Sequence, residues 1–332
     1  MFYCPEMTAW RRCLFAGNSQ LSAVDQNHAV HDMTGTEPPI LAVLVLYQME
    51  ASSSVTLVSF SRALDESGLA SQFRLLIYDN SPSQSAAPDT MPIPFECIHD
   101  PGNGGLVGAY NAALQVAENE GIEWLLLLDQ DTVINTGYLK ALWLGRLELA
   151  GNQQCAALVP KLLSRDKVIS PARVLWGGRL SPVDKTLGGI APWEIVALNS
   201  GTLLRISAVR EVGGFNPAFW LDYLDHWLFN RLHRAGHLVY VLNAELPHEL
   251  SVNSMGSMPV ARYKNILSAE GQFYQCCKSP TENLIYRFRL LVRAVKMFTM
   301  PGRQRLFLPT LAHLARDLLN RSALTQEPTN NP

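Results

Sequence analysis

Two hydrophobic signatures alternate along most of the chain. Short apolar runs bounded by turn-forming residues predict buried strands at Ile40–Tyr47, Phe73–Tyr78, Phe95–Ile98, Trp124–Leu128, Ala156–Val159, Ile195–Leu204 and Leu238–Leu242. Between them, apolar residues at helical spacing predict helices. The first runs from about Ser53 to Leu69, with Leu57, Phe60 and Leu64 on one face and Ser52 to Ser54 as N-cap residues. Others open in a glycine-rich loop and run to about Asn119, cover 137–150, and carry Leu224, Trp227, Leu228 and Leu232. Five consecutive apolar residues in Trp124–Leu128 suit a strand covered on both faces, as in a parallel sheet flanked by helices. Residues 161–195 are rich in Gly, Pro and Ser and predict short strands and turns without an assigned role. Beyond Pro259 the pattern turns helical. Residues 283–299 place Leu284, Ile285, Phe288, Leu291, Val292, Val295 and Phe298 on one face, with Arg289, Arg293 and Lys296 towards the other.

Composition narrows the class. The 332 residues are 48% hydrophobic and 17% charged, enough for one large domain with an appendage or two smaller ones. A net charge of −2 gives no general attraction to nucleic acid. The six cysteines are scattered without C-x-x-C spacing, which fits a reducing compartment and argues against a zinc site. No apolar run approaches about 18 residues, and Arg11 and Arg12 interrupt what would be the core of a signal peptide. A cytoplasmic protein is the default. Residues 1–36 lack periodicity and read as a poorly ordered leader, with Met33 a possible alternative start; 37–258 reads as the main domain, 259–321 as the helical region and 322–332 as a polar tail.

The chemistry concentrates at strand ends. Trp124–Leu128 runs into Asp129, Gln130 and Asp131, and extended geometry would point both carboxylates one way and Gln130 the other. Two hard oxygen ligands suit Mg2+ or Mn2+ on a phosphate substrate; the plainer alternative is that one Asp caps the helix near Asn135. Asp79 ends the second strand, placed either to accept a hydrogen bond from a ligand's N–H or as ordinary turn chemistry. Gly102, Asn103, Gly104 and Gly105 precede Asn111 in a loop whose backbone N–H groups can bind an anion, or which is simply a tight turn. It is neither a dinucleotide fingerprint nor a P-loop. The stretch 195–204 reads as one strand with a kink at Ser200 and Gly201. Asp222 and Asp225 stand at a helix start, as a general base or as dipole complements. His248 follows the last strand.

The ordered series Asp79, Asn103 to Gly105, Asn111, the Asp129-Gln130-Asp131 run, Ser200-Gly201, Gly213 to Phe215, Asp222 to Asp225 and His248 resembles the inverting family 2 glycosyltransferases. Within them it is most similar to the bacterial rhamnosyltransferase-like branch, over about residues 38–255. The resemblance implies a GT-A fold: a Rossmann-like, mostly parallel central sheet with helices on both faces, here with a C-terminal helical appendage. It implies that Asp79 binds the base of a dTDP- or UDP-sugar, that Asn103, Gly104, Gly105 and Asn111 line the nucleotide side, and that Asp129 contacts ribose or donor sugar. Asp131 and His248 would hold Mg2+ or Mn2+, and Asp225, with Asp222 as alternate, would be the base. The acceptor would be a glycan or lipid-linked glycan in cell-surface polysaccharide assembly. Alternatives are UDP-hexose as donor, or a non-catalytic nucleotide-sugar or glycan binder. Trp227 and Leu224 depart from the family's acidic positions around the base. The basic C-terminal helices would contact an anionic inner membrane leaflet, or pack on the catalytic domain with a solvated basic face.

Overall fold

A computed structural model describes residues 40–248 and 258–324; the expected leader and most of the polar tail lie outside the described residues. In chain order, β1 (Ile40–Leu46) leads to α1 (Val55–Ser67), then β2 (Phe73–Asp79), β3 (Phe95–His99), α2 (Gly105–Asn119) and β4 (Trp124–Asp129). Next come α3 (Thr136–Glu148), β5 (Cys155–Ser164), β6 (Lys167–Ser170), β7 (Ala172–Leu175), β8 (Arg179–Pro182), β9 (Gly189–Ile190), β10 (Ile195–Val196) and β11 (Thr202–Arg205). The chain continues with α4 (Ile206–Glu211), α5 (Leu224–Arg234), β12 (Leu238–Pro247), α6 (Val260–Cys277), α7 (Pro280–Thr299) and α8 (Phe307–Leu324).

The apolar runs become a sheet of order β3-β2-β1-β4-β11-β5-β12-β9, with β6 beside β5. Strands β3, β2, β1 and β4 are mutually parallel, and the continuous apolar runs of the central β1 and β4 are buried along their length, as in a sheet covered on both faces. Beyond them β11 runs antiparallel to both β4 and β5, and β12 is parallel to β5. The sheet is therefore mixed, four pairings parallel and four antiparallel, rather than mostly parallel.

Helices cover both faces. Leu41, Val43 and Val45 join Ala109, Tyr110 and Ala113 of α2 in one core. On the opposite face, a side chain at Gly145 of α3 would meet Leu158 and Leu242 within about 3 Å, so glycine lets that helix lie close to the sheet. Local signals explain the boundaries. Ser54 caps α1, accepting from Leu57 N, and Gly68 ends it in the left-handed region; Ser279 and Glu282 form a capping box on α7.

The stretch 195–204 is two strands, not one kinked strand. Ile195–Val196 pairs with β7 in a separate three-stranded sheet, and Thr202–Arg205 enters the main sheet. Asn199 to Gly201 turn the chain between them, with Gly201 at φ 73°.

Candidate functional site

The carboxyl ends of β1 and β4 open into a cleft of about 470 Å³. Ligands collect at such strand ends, and here four carboxylates, Asp129, Asp131, Asp222 and Asp225, share the wall with His248 and Arg262.

Strand β4 ends at Asp129, and Gln130 and Asp131 form a turn. The expected alternation stops there: Gln130 also faces the cleft, and its Oε1 accepts from Tyr47 N at 2.8 Å. Two hydroxyls of the neighbouring helix pin the turn. The buried Thr56 hydroxyl bridges the Asp129 carbonyl (2.5 Å) and Thr132 N (2.8 Å), and Ser54 Oγ donates to the Gln130 carbonyl (3.0 Å). Neither aspartate caps α3, because Asn135 does, accepting from Tyr138 N at 2.8 Å.

The Asp129 side chain accepts a hydrogen bond from the Ser200 hydroxyl. Burial pushes its carboxyl above the ordinary aspartate range. The Ser200 bond and His248 oppose that rise, and Asp131 and Asp225 add to it. The fully buried Tyr110 hydroxyl lies beside the same carboxylate without a well-formed hydrogen bond. His248, immediately after β12, points Nδ1 at the Thr132 hydroxyl (3.1 Å).

Asp225 lies in the first turn of α5, and Tyr223 before it has φ 63°. Asp222 is held by a bidentate pair from Arg262 of α6 (2.5 and 2.7 Å). Burial raises the Asp222 carboxyl despite the guanidinium. With both Asp222 oxygens engaged, Asp225 is the freer carboxylate of the two. Trp227 packs on Phe219 at 6.4 Å between ring centres, and Leu224 is buried, so both departures from the family's acidic positions face the core.

Three expected nucleotide residues sit elsewhere. Asp79 is separated from the cleft by strand parity. Val45 is in register with Tyr78 and Asp129, and Leu46 with Asp79, so Asp79 projects from the opposite face of the sheet to Asp129. There it lines a cavity of about 20 Å³, room for roughly one water. Burial would raise its carboxyl, but bonds from Ser81 and Ser85 outweigh this and hold it below the ordinary range; the two backbone N–H groups lie at 2.9 and 2.7 Å.

Asn111 does not line the cleft. Its amide donates to the Phe215 carbonyl (2.8 Å) and accepts from Phe215 N (3.1 Å). Gly104 N donates to Asp100 Oδ2 at 2.8 Å, so the loop's N–H groups partly serve its own turn. Asn103 and Gly105 do line the cleft. At Gly105, with φ 67°, an added Cβ would stand 2.3 Å from the Trp220 carbonyl. The close approach that glycine permits is thus to Trp220 rather than to a ligand.

Sequence reasoning missed Asn80, Trp220 and Arg262 as members of the wall. Asn80 is buried with Nδ2 donating to the Gly105 carbonyl (3.2 Å) and Oδ1 unpaired. A polar residue directly after a strand-ending aspartate was its available signal. Arg262 had none, standing beyond the strand–helix alternation.

The cleft's donor set bears on the expected cation. Among the described residues no group of three or more His, Cys, Asp or Glu is arranged to hold a metal by itself. Asp131 and His248 offer an oxygen and a nitrogen on one wall, which suits a cation that completes its shell with substrate oxygens and water.

No protein-family model matches the chain, and no curated protein matches it. Solved structures do. GalNAc-T7 with UDP, GalNAc and Mn2+ superposes with TM-score 0.53 at 13% identity, over 88% of this chain and 58% of that one. S. aureus TarS 1-349 in complex with UDP-GlcNAc gives TM-score 0.51 at 14% identity, over 85% of this chain and 82% of that one. Against a longer S. aureus TarS structure the match covers 50% of that chain. With a mixed sheet between helical layers, a carboxylate cleft at its strand ends and these structural likenesses, the chain has the GT-A fold.

Proposed function

We propose that the chain is a metal-dependent, inverting glycosyltransferase that moves a sugar from a nucleotide-sugar donor to a hydroxyl of a glycan or lipid-linked glycan acceptor in cytoplasmic assembly of cell-surface polysaccharide. The observation that carries this reading is the convergence of Asp129, Asp131, Asp225 and His248 on one cleft. The bound UDP, UDP-GlcNAc and Mn2+ named for GalNAc-T7 and TarS agree with it. L-Rhamnose from dTDP-rhamnose is the first choice of donor, on the resemblance to the rhamnosyltransferase-like branch.

Asp225 accepts the acceptor hydroxyl's proton as that oxygen bonds to the anomeric carbon from the face opposite the nucleoside diphosphate. The anomeric carbon–oxygen bond to the diphosphate breaks, so the configuration inverts. Asp129, oriented by Ser200, receives the ribose or donor-sugar hydroxyls. Asp131 and His248 would hold Mg2+ or Mn2+, which when bound offsets the charge of the leaving diphosphate.

Electrostatics support the cation. A diphosphate entering beside Asp129, Asp131 and Asp225 meets like charges, and one such pair at 4 Å costs about 4 kcal/mol at an effective dielectric of about 20.

The test is transfer by purified protein with Mg2+ or Mn2+, a panel of dTDP-, UDP- and GDP-sugars and lipid-linked acceptors. Asp225→Asn should lower the rate by about 10²–10⁴-fold while donor binding survives. Full transfer by that variant would remove Asp225 as base. Donor binding without transfer in any combination would favour the non-catalytic binder.

A further inference from the structure

Helix α7 carries two apolar stripes, and only one is used for packing. Tyr286, Leu290, Ala294 and Met297 are buried. Leu284, Phe288, Leu291, Val292, Val295 and Phe298 recur at i, i+4, i+7, i+8, i+11 and i+14, which places them on another side of the helix. They face solvent, with Leu284 and Phe288 each 65% exposed, Val295 55% and Phe298 60%. At about 1.5 Å per residue the stripe is roughly 21 Å long.

The arginines do the opposite of what an amphipathic pattern suggests. Arg293 makes a bidentate pair with Glu270 (2.6 and 2.8 Å), Arg287 pairs with Asp317 (2.6 Å), and Arg289 donates to the Gly177 carbonyl (2.9 Å). Of the two arrangements expected, the one with the apolar face inward and the basic face solvated is therefore reversed. The arginines anchor the helix and its long apolar side is left outside. Contiguous exposed apolar surface of this kind marks an interaction site.

Charge selects the partner. Apart from Arg293, which is paired with Glu270 of α6, residues 283–324 hold seven Lys and Arg against one acid, Asp317, while the whole chain carries −2. That acid is buried against Arg287. Lys296, Arg305 and Arg316 are exposed, Lys296 directly after the stripe residue Val295. Apposing two copies of this region would bring like charges together, whereas an anionic bilayer attracts it. Among the described residues no helix is long and apolar enough to cross a membrane.

We propose that the outer face of α7 docks on an anionic membrane surface, with the helix axis in the membrane plane and Phe288, Val295 and Phe298 entering the lipid. The proposal stands independently of the transferase reading.

The experiment is flotation of the full chain with phosphatidylcholine vesicles and with vesicles of phosphatidylcholine plus phosphatidylglycerol. Recovery with the anionic vesicles only is expected, falling as salt rises. The exposed triple change Phe288→Ser, Val295→Ser, Phe298→Ser should lower recovery by about tenfold with an unchanged circular-dichroism spectrum. Equal recovery of wild type and triple variant, or no recovery of wild type with anionic vesicles, overturns the proposal. So does a dimer in light scattering that the triple change dissociates in the absence of vesicle binding, which would assign the stripe to a second copy.

Discussion

Asn111 separates two explanations of one residue. The family resemblance implies that it lines the nucleotide, whereas the structure spends its amide on both backbone groups of Phe215. That contact joins α2 to the loop of Gly213 to Phe215 ahead of α5, and Phe215 is buried with its ring 5.1 Å from Tyr110. Asn111→Ala removes two hydrogen bonds, each worth about 1 kcal/mol, and strands a buried N–H and C=O at further cost, for a total of about 2–4 kcal/mol. For a chain of this size that corresponds to a fall in Tm of roughly 3–7 °C. Asn111→Asp keeps the acceptor for Phe215 N but sets a carboxylate against the Phe215 carbonyl, so its stability should be no better. Urea titration of both variants reads the stability, and nucleotide titration well below the transition reads affinity. Unchanged unfolding together with about tenfold weaker nucleotide binding would refute the structural role and restore the nucleotide contact.

Other consequences follow from the same geometry. Burial raises the Asp129 carboxyl, so its charged form costs stability at neutral pH; Asp129→Asn should raise Tm at pH 7, by less as pH falls towards the raised value, while transfer is lost. A fall in Tm at pH 7 would contradict this. Asp79 has the opposite sign: hydrogen bonds hold its carboxyl low, so its contribution is full above the ordinary aspartate value of about 3.9 and fades as pH falls below it. Urea unfolding from pH 7 to pH 3 should therefore show a shallower acid loss for Asp79→Asn than for wild type, and parallel curves would count against the bonded carboxylate. Gly105→Ala, at φ 67° and against the Trp220 carbonyl, should cost at least about 1 kcal/mol and shift Trp220 fluorescence. Wild-type stability and emission would mean the loop has room that the structure does not show.

Local patterns carried the parallel half of the sheet. The apolar runs of β1, β2 and β4 announced buried strands and Ser54 fell among the N-cap residues expected for α1, whereas Gly68 ends that helix short of the expected Leu69 and Asn135, not an aspartate, caps α3. The antiparallel half was less legible because its pairing is nonlocal. Nothing in 195–204 says that Ile195 and Thr202 belong to different sheets, and β12 continues to Pro247 through Asn243 and Glu245, which read as loop. Within the site, strand parity was available but unused: Tyr78 and Asp79 must face opposite ways, and register with β4 puts Tyr78 on the Asp129 side. The turn at Gln130 was not available, since the Ser54 and Thr56 hydroxyls that hold it are more than seventy residues away.

Neutral contacts hold this carboxylate cleft open. Thr56 and Ser54 secure the Asp129–Asp131 turn, Ser200 orients Asp129, and Asn111 secures the approach to Asp225, all without supplying positive charge. Asp222 is the exception, and its partner Arg262 comes from α6, beyond the strand–helix alternation. The first C-terminal helix therefore builds part of the cleft wall, while α7 directs its unused apolar side away from the packed face. With Asp222 paired to Arg262, the remaining carboxylates of the cleft wall are Asp129, Asp131 and Asp225, beside His248. Three environments hold those carboxylates: Asp129 is bonded to Ser200 with its carboxyl raised by burial, Asp131 is exposed in a turn, and Asp225 stands at a helix start. Such different settings suit the division proposed above into donor contact, metal ligand and base.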